Sequence, residues 1–305
     1  MSLRIVFMGT PEFAVPSLDI LVRNDYNVVA VVTATDKWGG RGKKKRLEPA
    51  IKKYAVAHDI PVLQPSNLKS PEFQEELRAL KADLQIVVAF RMLPEAVWDM
   101  PTIGTFNLHG SLLPKYRGAA PINWAVIKGE KETGVTTFFI RHEIDTGDIL
   151  LQDRIPIGPN ETAGEVHDRM MHIGAELVLK TVRLVETETY ALQQQDHTQA
   201  TKAPKIFHET CEIDFDQPAQ DVHNFIRGMS PYPAAWTQLD GKELKILRSG
   251  LEPTEAKEKP GTFLSDNKNW IKVAAKDGYI WLHELQLQGR KRMTVKDFLN
   301  GYSFE

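Results

Sequence analysis

The stretch LRIVFMGTPEFAVPSLDILVRNDYNVVAVVT, residues 3–33, decides the fold. Leu3–Met8 is a continuous apolar, β-prone run that closes at Gly9, the pattern of a strand buried on both faces. Pro11–Val22 then spaces Phe13, Ala14, Leu18, Leu21 and Val22 as one face of a helix. Asn27–Thr33 is a second buried strand. Strand, helix and strand in this order make a right-handed parallel crossover.

The same alternation continues outward. A helix is predicted over Glu48–His58, a short strand over Pro61–Leu63, an acidic amphipathic helix over Pro71–Leu80, and strands over Leu84–Ala89 and Thr105–His109. A helix after Gly118, β-rich segments at Thr133–Ile140 and Gly147–Pro156, and one long helix over Thr162–Glu188 complete this half. Asn160 or Thr162 caps the long helix. Tyr190–Pro204 is polar, rich in Gln and Thr, and without periodicity. From Ile206 the pattern changes to short strands separated by turns, at Lys242–Leu247, Gly261–Leu264, Trp270–Ala274 and Tyr279–Gln286. The expectation is an α/β fold. A Rossmann-like parallel sheet spans residues 1–189, a linker 190–205, and a smaller, largely antiparallel β-barrel domain 206–305.

Composition narrows the function classes. The 305 residues are 42% hydrophobic and 26% charged, which is ordinary for a globular protein and argues against disorder. Lys plus Arg (38) nearly balances Asp plus Glu (40), so a nucleic-acid partner must be met by a local basic patch. Cys211 is the one cysteine, which excludes an intramolecular disulfide and a multi-Cys zinc site. His167 and His172 stand five apart, not the four of a zincin pair, and no metal site is expected. No run of ~18 apolar residues suggests a membrane span. The first apolar stretch is too short for a signal peptide, so a cytoplasmic protein is expected; a monomer is expected as well. The turn after the first strand carries Gly9 alone, without a dinucleotide fingerprint, and neither a phosphate-binding P-loop nor a nucleophile elbow is present.

Chemistry concentrates in FNLHGSLLPKYRGAAP, residues 106–121. On a strand, Asn107 and His109 share a face, so an amide and an imidazole point together near the carboxyl end, where α/β sites form. Taken alone, the pair better fits buried groups that merely satisfy backbone, and the whole run 106–121 shifts the balance. His142–Asp148 joins two strand-like segments and carries Asp145 in a turn-prone sequence, where an Asx-turn cap is the alternative role. Together, carboxylate, imidazole and amide can move a proton and stabilise an oxyanion. Asp36–Arg46 holds six basic residues with flexible glycines and Trp38, a composition that suits a phosphate backbone or a solvated loop.

On these residues the chain resembles the folate-dependent formyltransferase family. Asn107–Pro121 and Asp145-Thr146-Gly147 carry the likeness, as do Phe7-Met8-Gly9-Thr10-Pro11-Glu12-Phe13-Ala14 and Pro231-Tyr232-Pro233-Ala234-Ala235-Trp236. Gly39–Lys44 is similar to the basic loop of members that act on charged initiator tRNA.

The resemblance runs from near residue 3 to near 300. It implies an N-terminal formyltransferase domain, an OB-like C-terminal domain that binds tRNA, and 10-formyltetrahydrofolate as donor. By the same resemblance Asn107, His109 and Asp145 are catalytic. Ser111, Leu112, Leu113 and Pro114 form one wall of the folate site, with Val87–Leu93 and Ile140–Ile144 lining the pterin pocket. Arg41, Lys43, Lys44 and Lys45 contact tRNA. Where many members have Tyr-Gly and two apolar residues before Leu-Pro, this chain has Phe90-Arg91-Met92-Leu93-Pro94, one residue shorter. A family member acting on a sugar-nucleotide amine shares the catalytic set. A glycinamide ribonucleotide enzyme fits less well, having no need of a ~100-residue second domain. A tRNA-binding module with an inactive first domain is the reading from another class.

Overall fold

The computed structural model describes residues 3–39 and 45–304. Two compact units compose it: one gathers Met1–Arg117, Gly134–Arg154 and Asp168–Lys202, the other Gly118–Thr133, Ile155–His167 and Ala203–Glu305.

The first unit is built on a sheet whose strands lie in the order Ile149–Pro156, Glu132–Phe139, Gly104–His109, Leu84–Val88, Arg4–Gly9, Asn27–Val32 and Val62–Leu63. From Gly104–His109 to Val62–Leu63 every neighbouring pair is parallel. Ile5, Val6, Phe7 and Met8 are fully buried mid-sheet, as the unbroken apolar run requires. Helices Val15–Arg23, Ala50–Ala57 and Pro71–Ala79 alternate with these strands in the chain. Gly9 ends the first strand where a Cβ would lie 2.7 Å from that of Ala14 and 3.0 Å from the Val88 carbonyl. Only glycine allows so close a turn there.

Glu132–Phe139 instead runs antiparallel to Gly104–His109, with Phe106 opposite Phe139 and His109 opposite Thr136. The connection between them, Gly118–Thr133, belongs to the second unit and supplies no crossover helix to this sheet. A strand entering without that crossover is free to pair antiparallel, which makes the sheet mixed.

In the second unit a sheet of short antiparallel strands curls around one helix. Its order is Ala235–Leu239, Lys242–Glu252, Tyr279–Leu287, Ile271–Ala274 and Phe263–Ser265, and Met293–Thr294 also pairs with Tyr279–Leu287. Register shifts on either side of Arg248 bend the long strand, as β-bulges do, so the sheet forms a half-barrel. Helix Ala219–Met229 closes the concave side with Val222, Ile226 and Met229 in a core that includes Leu244, Ile246 and Ile280.

The segment read as a linker has structure of its own. Gln193 exchanges backbone hydrogen bonds with Ile149, and His197–Gln199 is a 3-10 turn capped by Asp196. Among the described residues no helix is long and apolar enough to cross a membrane.

The long helix, Ala163–Glu186, opens on a reciprocal cap. Glu165 Oε2 accepts from the Thr162 backbone N–H at 2.8 Å, and Thr162 Oγ1 accepts from the Glu165 N–H at 3.3 Å. Thr162→Ala removes half of this box and is expected to cost about 1 kcal/mol. Thermal unfolding should show a midpoint lowered by a few degrees in Thr162→Ala and preserved in Thr162→Ser.

Candidate active site

Packing behind the strand Gly104–His109 fixes where its polar residues point. Phe106 is fully buried, and Leu108 packs against Gly174 of the long helix so closely that a Cβ there would come within 2.7 Å of its methyl. Period-two alternation turns Asn107 and His109 to the opposite face.

His109 is 6% exposed and held from two sides. Its Nε2 lies 2.9 Å from the Tyr116 carbonyl, which can only accept, so Nε2 carries the proton. Its Nδ1 stands 3.8 Å from Asp145 Oδ2, an ion-pair distance rather than a hydrogen bond. Phe138 presents its ring edge-on at 6.5 Å between centroids. Asn107, half-buried, sits two residues earlier on the same face. The structure therefore brings together the carboxylate and imidazole that the sequence leaves 36 residues apart.

Asp145 reaches His109 from the loop between Glu132–Phe139 and Ile149–Pro156, and it adopts left-handed backbone at φ 56°. Arg141 pairs with Asp148 at 2.6 Å, Thr146 Oγ1 donates to the Glu143 carbonyl, and His142 pairs with Glu95 at 3.0 Å. Phe139 N–H bonds the Asp148 carbonyl, closing the loop's base.

The stretch Ser111–Pro114 lies in the turn after His109. Ser111 is fully buried, and its hydroxyl donates to the Lys115 carbonyl at 2.6 Å. Leu113 packs with Phe138 and Ile149. Thr136 Oγ1 donates to the Ser111 carbonyl at 2.6 Å, and Gln152 Nε2 donates to the Leu113 carbonyl at 2.9 Å. The side chains of Ser111 and Leu113 thus hold the turn itself, while Leu112 and Pro114 are half-buried.

Of the basic residues, Arg41, Lys43 and Lys44 lie outside the described residues. Lys45 is exposed and opposite Gly39 in a hairpin of Lys37–Gly39 with Lys45–Leu47. Trp38 is 67% exposed on it. Asp36 anchors the hairpin's root: Lys52 Nζ and Gln64 Nε2 donate to its carboxylate, and Arg46 pairs with it. These donors, Lys52 first and then Gln64, hold the Asp36 carboxyl down at about 2. The anchor therefore stays charged throughout the physiological range. Among the described residues no group of three or more His, Cys, Asp or Glu is placed to hold a metal ion.

Comparison with known proteins follows this geometry. The family model described as formyl transferase matches residues 3–182, and the one described as formyl transferase, C-terminal domain, matches residues 205–303. The chain belongs to the formyl transferase family.

A methionyl-tRNA formyltransferase of Parabacteroides distasonis is 55% identical over 310 residues, covering 98% of this chain and 96% of the relative. One of Flavobacterium johnsoniae is 50% identical over 307 residues, covering 99% and 97%. Among solved structures, the N-formyltransferase from Helicobacter canadensis in complex with folinic acid and dTDP-3-aminofucose superposes with a TM-score of 0.70. It is 22% identical and covers 92% of this chain and 98% of that one. HypX from Aquifex aeolicus in complex with tetrahydrofolic acid gives 0.66 at 20% identity, over 98% of this chain and 47% of that one. At such identities these two speak for the fold.

Within this formyl transferase, the loop Phe90–Leu93 is held by contacts that its residue types do not announce. Arg91 donates to the Ser66 carbonyl at 3.1 Å and to the Pro65 carbonyl, and its guanidinium lies 5.6 Å from the Phe90 ring centroid. An arginine at this position ties the loop to the neighbouring segment. Tyr116 acts through its carbonyl, Thr136 through its hydroxyl and Gln152 through its side-chain amide, and none of the three carries a motif.

Gly147 sets the tightest constraint on the acidic loop: a Cβ there would lie 1.7 Å from the Phe139 carbonyl oxygen. Gly147→Ala must displace the backbone that carries Asp145. It is expected to cost roughly 2–3 kcal/mol and to reduce turnover at least tenfold, as read by thermal unfolding and steady-state assay.

Proposed function

We infer that this chain transfers the formyl group of 10-formyltetrahydrofolate to the α-amino group of methionyl initiator tRNA, giving N-formylmethionyl-tRNA for translation initiation. The observation that carries the reading is identity of 50% or more with methionyl-tRNA formyltransferases over 98–99% of the chain, across both units. A relative acting on a sugar nucleotide is matched at 22% identity, which speaks for the fold alone. Both substrates belong to the cytoplasm, where the protein works as a monomer, with no metal.

The reaction needs no covalent enzyme intermediate. The amine nitrogen attacks the formyl carbon, the carbonyl electrons move to oxygen, and the C–N10 bond then breaks as N10 of tetrahydrofolate takes a proton. Asn107 and His109 stabilise the oxyanion. Because Tyr116 occupies Nε2, Nδ1 is the imidazole nitrogen left for the reaction. In the cationic ring Nδ1 also carries a proton, and at 3.8 Å from Asp145 that proton is not committed to a strong bond there. Asp145 faces the imidazole and accepts the proton of the attacking amine, directly or through water. One such oxyanion donor is typically worth roughly 3–4 kcal/mol in the transition state.

Ser111, Leu112, Leu113 and Pro114 form a wall of the donor site. Val87–Leu93 and Ile140–Ile144 offer the pterin apolar groups and backbone; Met92 at 72% and Ile144 at 56% exposure are apolar side chains without full cover. Arg41, Lys43, Lys44 and Lys45 meet the acceptor's phosphate backbone, and residues 206–305 add contacts to the tRNA.

Formyl transfer from labelled donor to charged initiator tRNA, run beside a dTDP-aminosugar, tests the reading. Only the tRNA should be labelled; labelling of the sugar alone overturns it. Asn107→Ala, His109→Ala and Asp145→Ala should each lower turnover by about 10²-fold or more. Their effects should combine less than additively, since the three act as one unit. Near-normal turnover in His109→Ala removes the catalytic assignment.

Arg41→Ala should raise the KM for charged tRNA roughly tenfold and leave that for the donor unmoved. Arg41→Lys should not restore it, because an ammonium lacks the guanidinium's fork of donors. Replacing Lys43, Lys44 and Lys45 together should flatten the salt dependence of tRNA binding.

A further inference from the structure

We propose that Gln195 and Thr201 are positioning residues of the formyl-transfer site, and that the segment read from sequence as a linker is a strap holding Asp145 and His109 in register. The inference rests on the catalytic roles argued above.

Gln195 is 4% exposed, and its amide is fully used. Nε2 donates to the Asp145 carbonyl at 2.9 Å and to the Gly147 carbonyl at 2.7 Å. Oε1 accepts from Arg117 Nε at 3.1 Å and Nη2 at 2.5 Å. Two donors and two lone pairs are all that such an amide possesses. The bonds to Asp145 and Gly147 span a residue in left-handed backbone and the glycine pressed against Phe139. A non-glycine residue persists in that conformation only where its surroundings over-determine it. Gln195 supplies that restraint, fixing the peptide from which the Asp145 carboxylate is aimed.

Six residues on, Thr201 does the same for the imidazole. Tyr116, whose carbonyl receives His109 Nε2–H, is also left-handed, at φ 60°. Its backbone N–H donates to Thr201 Oγ1 at 2.8 Å, and the next N–H, of Arg117, donates to the Thr201 carbonyl at 2.9 Å. Gln193 ties the strap's start to Ile149, just beyond the acidic loop. Arg117 joins the two halves, since its guanidinium also contacts His197 Nδ1 at 3.2 Å. Every residue in this circuit belongs to the first unit.

Gln195→Glu is the discriminating variant. It keeps an acceptor for Arg117 but presents carboxylate oxygens to two carbonyls that need donors. Expected is a fall in kcat of roughly 10- to 100-fold, the scale of an ångström's misplacement at a reacting centre, with KM for donor and tRNA within about twofold of the parent. The imidazole titration of His109, followed by carbon-13 NMR, should shift. In an Asp145→Ala background Gln195→Glu should cost little further, because the carboxylate it positions is gone. Thr201→Val should lower kcat and Thr201→Ser should restore it.

Where Gln195→Ala fails to fold, the Glu variant and the Thr201 pair still decide. Normal kcat in folded Gln195→Glu and Thr201→Val overturns the proposal. So does a lowered thermal midpoint with an unmoved His109 titration and a loss that is fully additive with Asp145→Ala. His109→Ala is run alongside. If it stays active, the catalytic reading fails; if it is inactive while the strap variants are normal, the strap alone fails.

Discussion

Leu108 has one place to go. It is nearly fully buried, its methyl group occupies the gap left by Gly174, and the strand that carries it is flanked by Leu84–Val88 and Glu132–Phe139. Once Leu108 is set, the pleat leaves Asn107 and His109 no choice of face. A register slip of one residue would bury the imidazole against the long helix and turn a leucine to the opposite face. The placement of the Asn107 and His109 side chains thus rests on an apolar contact on the far side of the strand, and a side chain as small as a methyl at Gly174 would disturb it.

The imidazole is then oriented by backbone rather than by charge. The Tyr116 carbonyl assigns the Nε2 proton, which leaves Nδ1 to face Asp145. A carbonyl gives this direction without adding a second carboxylate beside the imidazole, so Asp145 remains the carboxylate that faces Nδ1.

What could be read from the chain follows the same physics. Buried parallel strands such as Arg4–Gly9 and Asn27–Val32 announce themselves as apolar runs, and the shared face of Asn107 and His109 is legible because a strand's side chains alternate with a period of two. The reciprocal cap at Thr162 and Glu165 is a local signal of the same kind. The antiparallel edge at Glu132–Phe139 was not legible, since it depends on Gly118–Thr133 packing in the other unit. Arg91 was not either: its partners are carbonyls of Pro65 and Ser66, and carbonyls leave no trace in residue types. The polar, aperiodic segment before Pro204 reads as a tether for the same reason. Its order comes from single side chains that meet backbone, without a hydrophobic period.

The choice of glutamine to brace the acidic loop has an electrostatic side. A lysine or arginine aimed at the Asp145 and Gly147 carbonyls would also place a full positive charge next to the Asp145 carboxylate and compete with His109 for it. A glutamate would meet the carbonyls with the wrong polarity. The amide alone offers two donors with no net charge, and its oxygen takes up Arg117 on the other side. The guanidinium thereby reaches the loop through a neutral spacer: it fixes the position of Gln195, and Gln195 fixes the loop. Rigidity is transmitted while the charge is kept one side chain away from the carboxylate that faces His109.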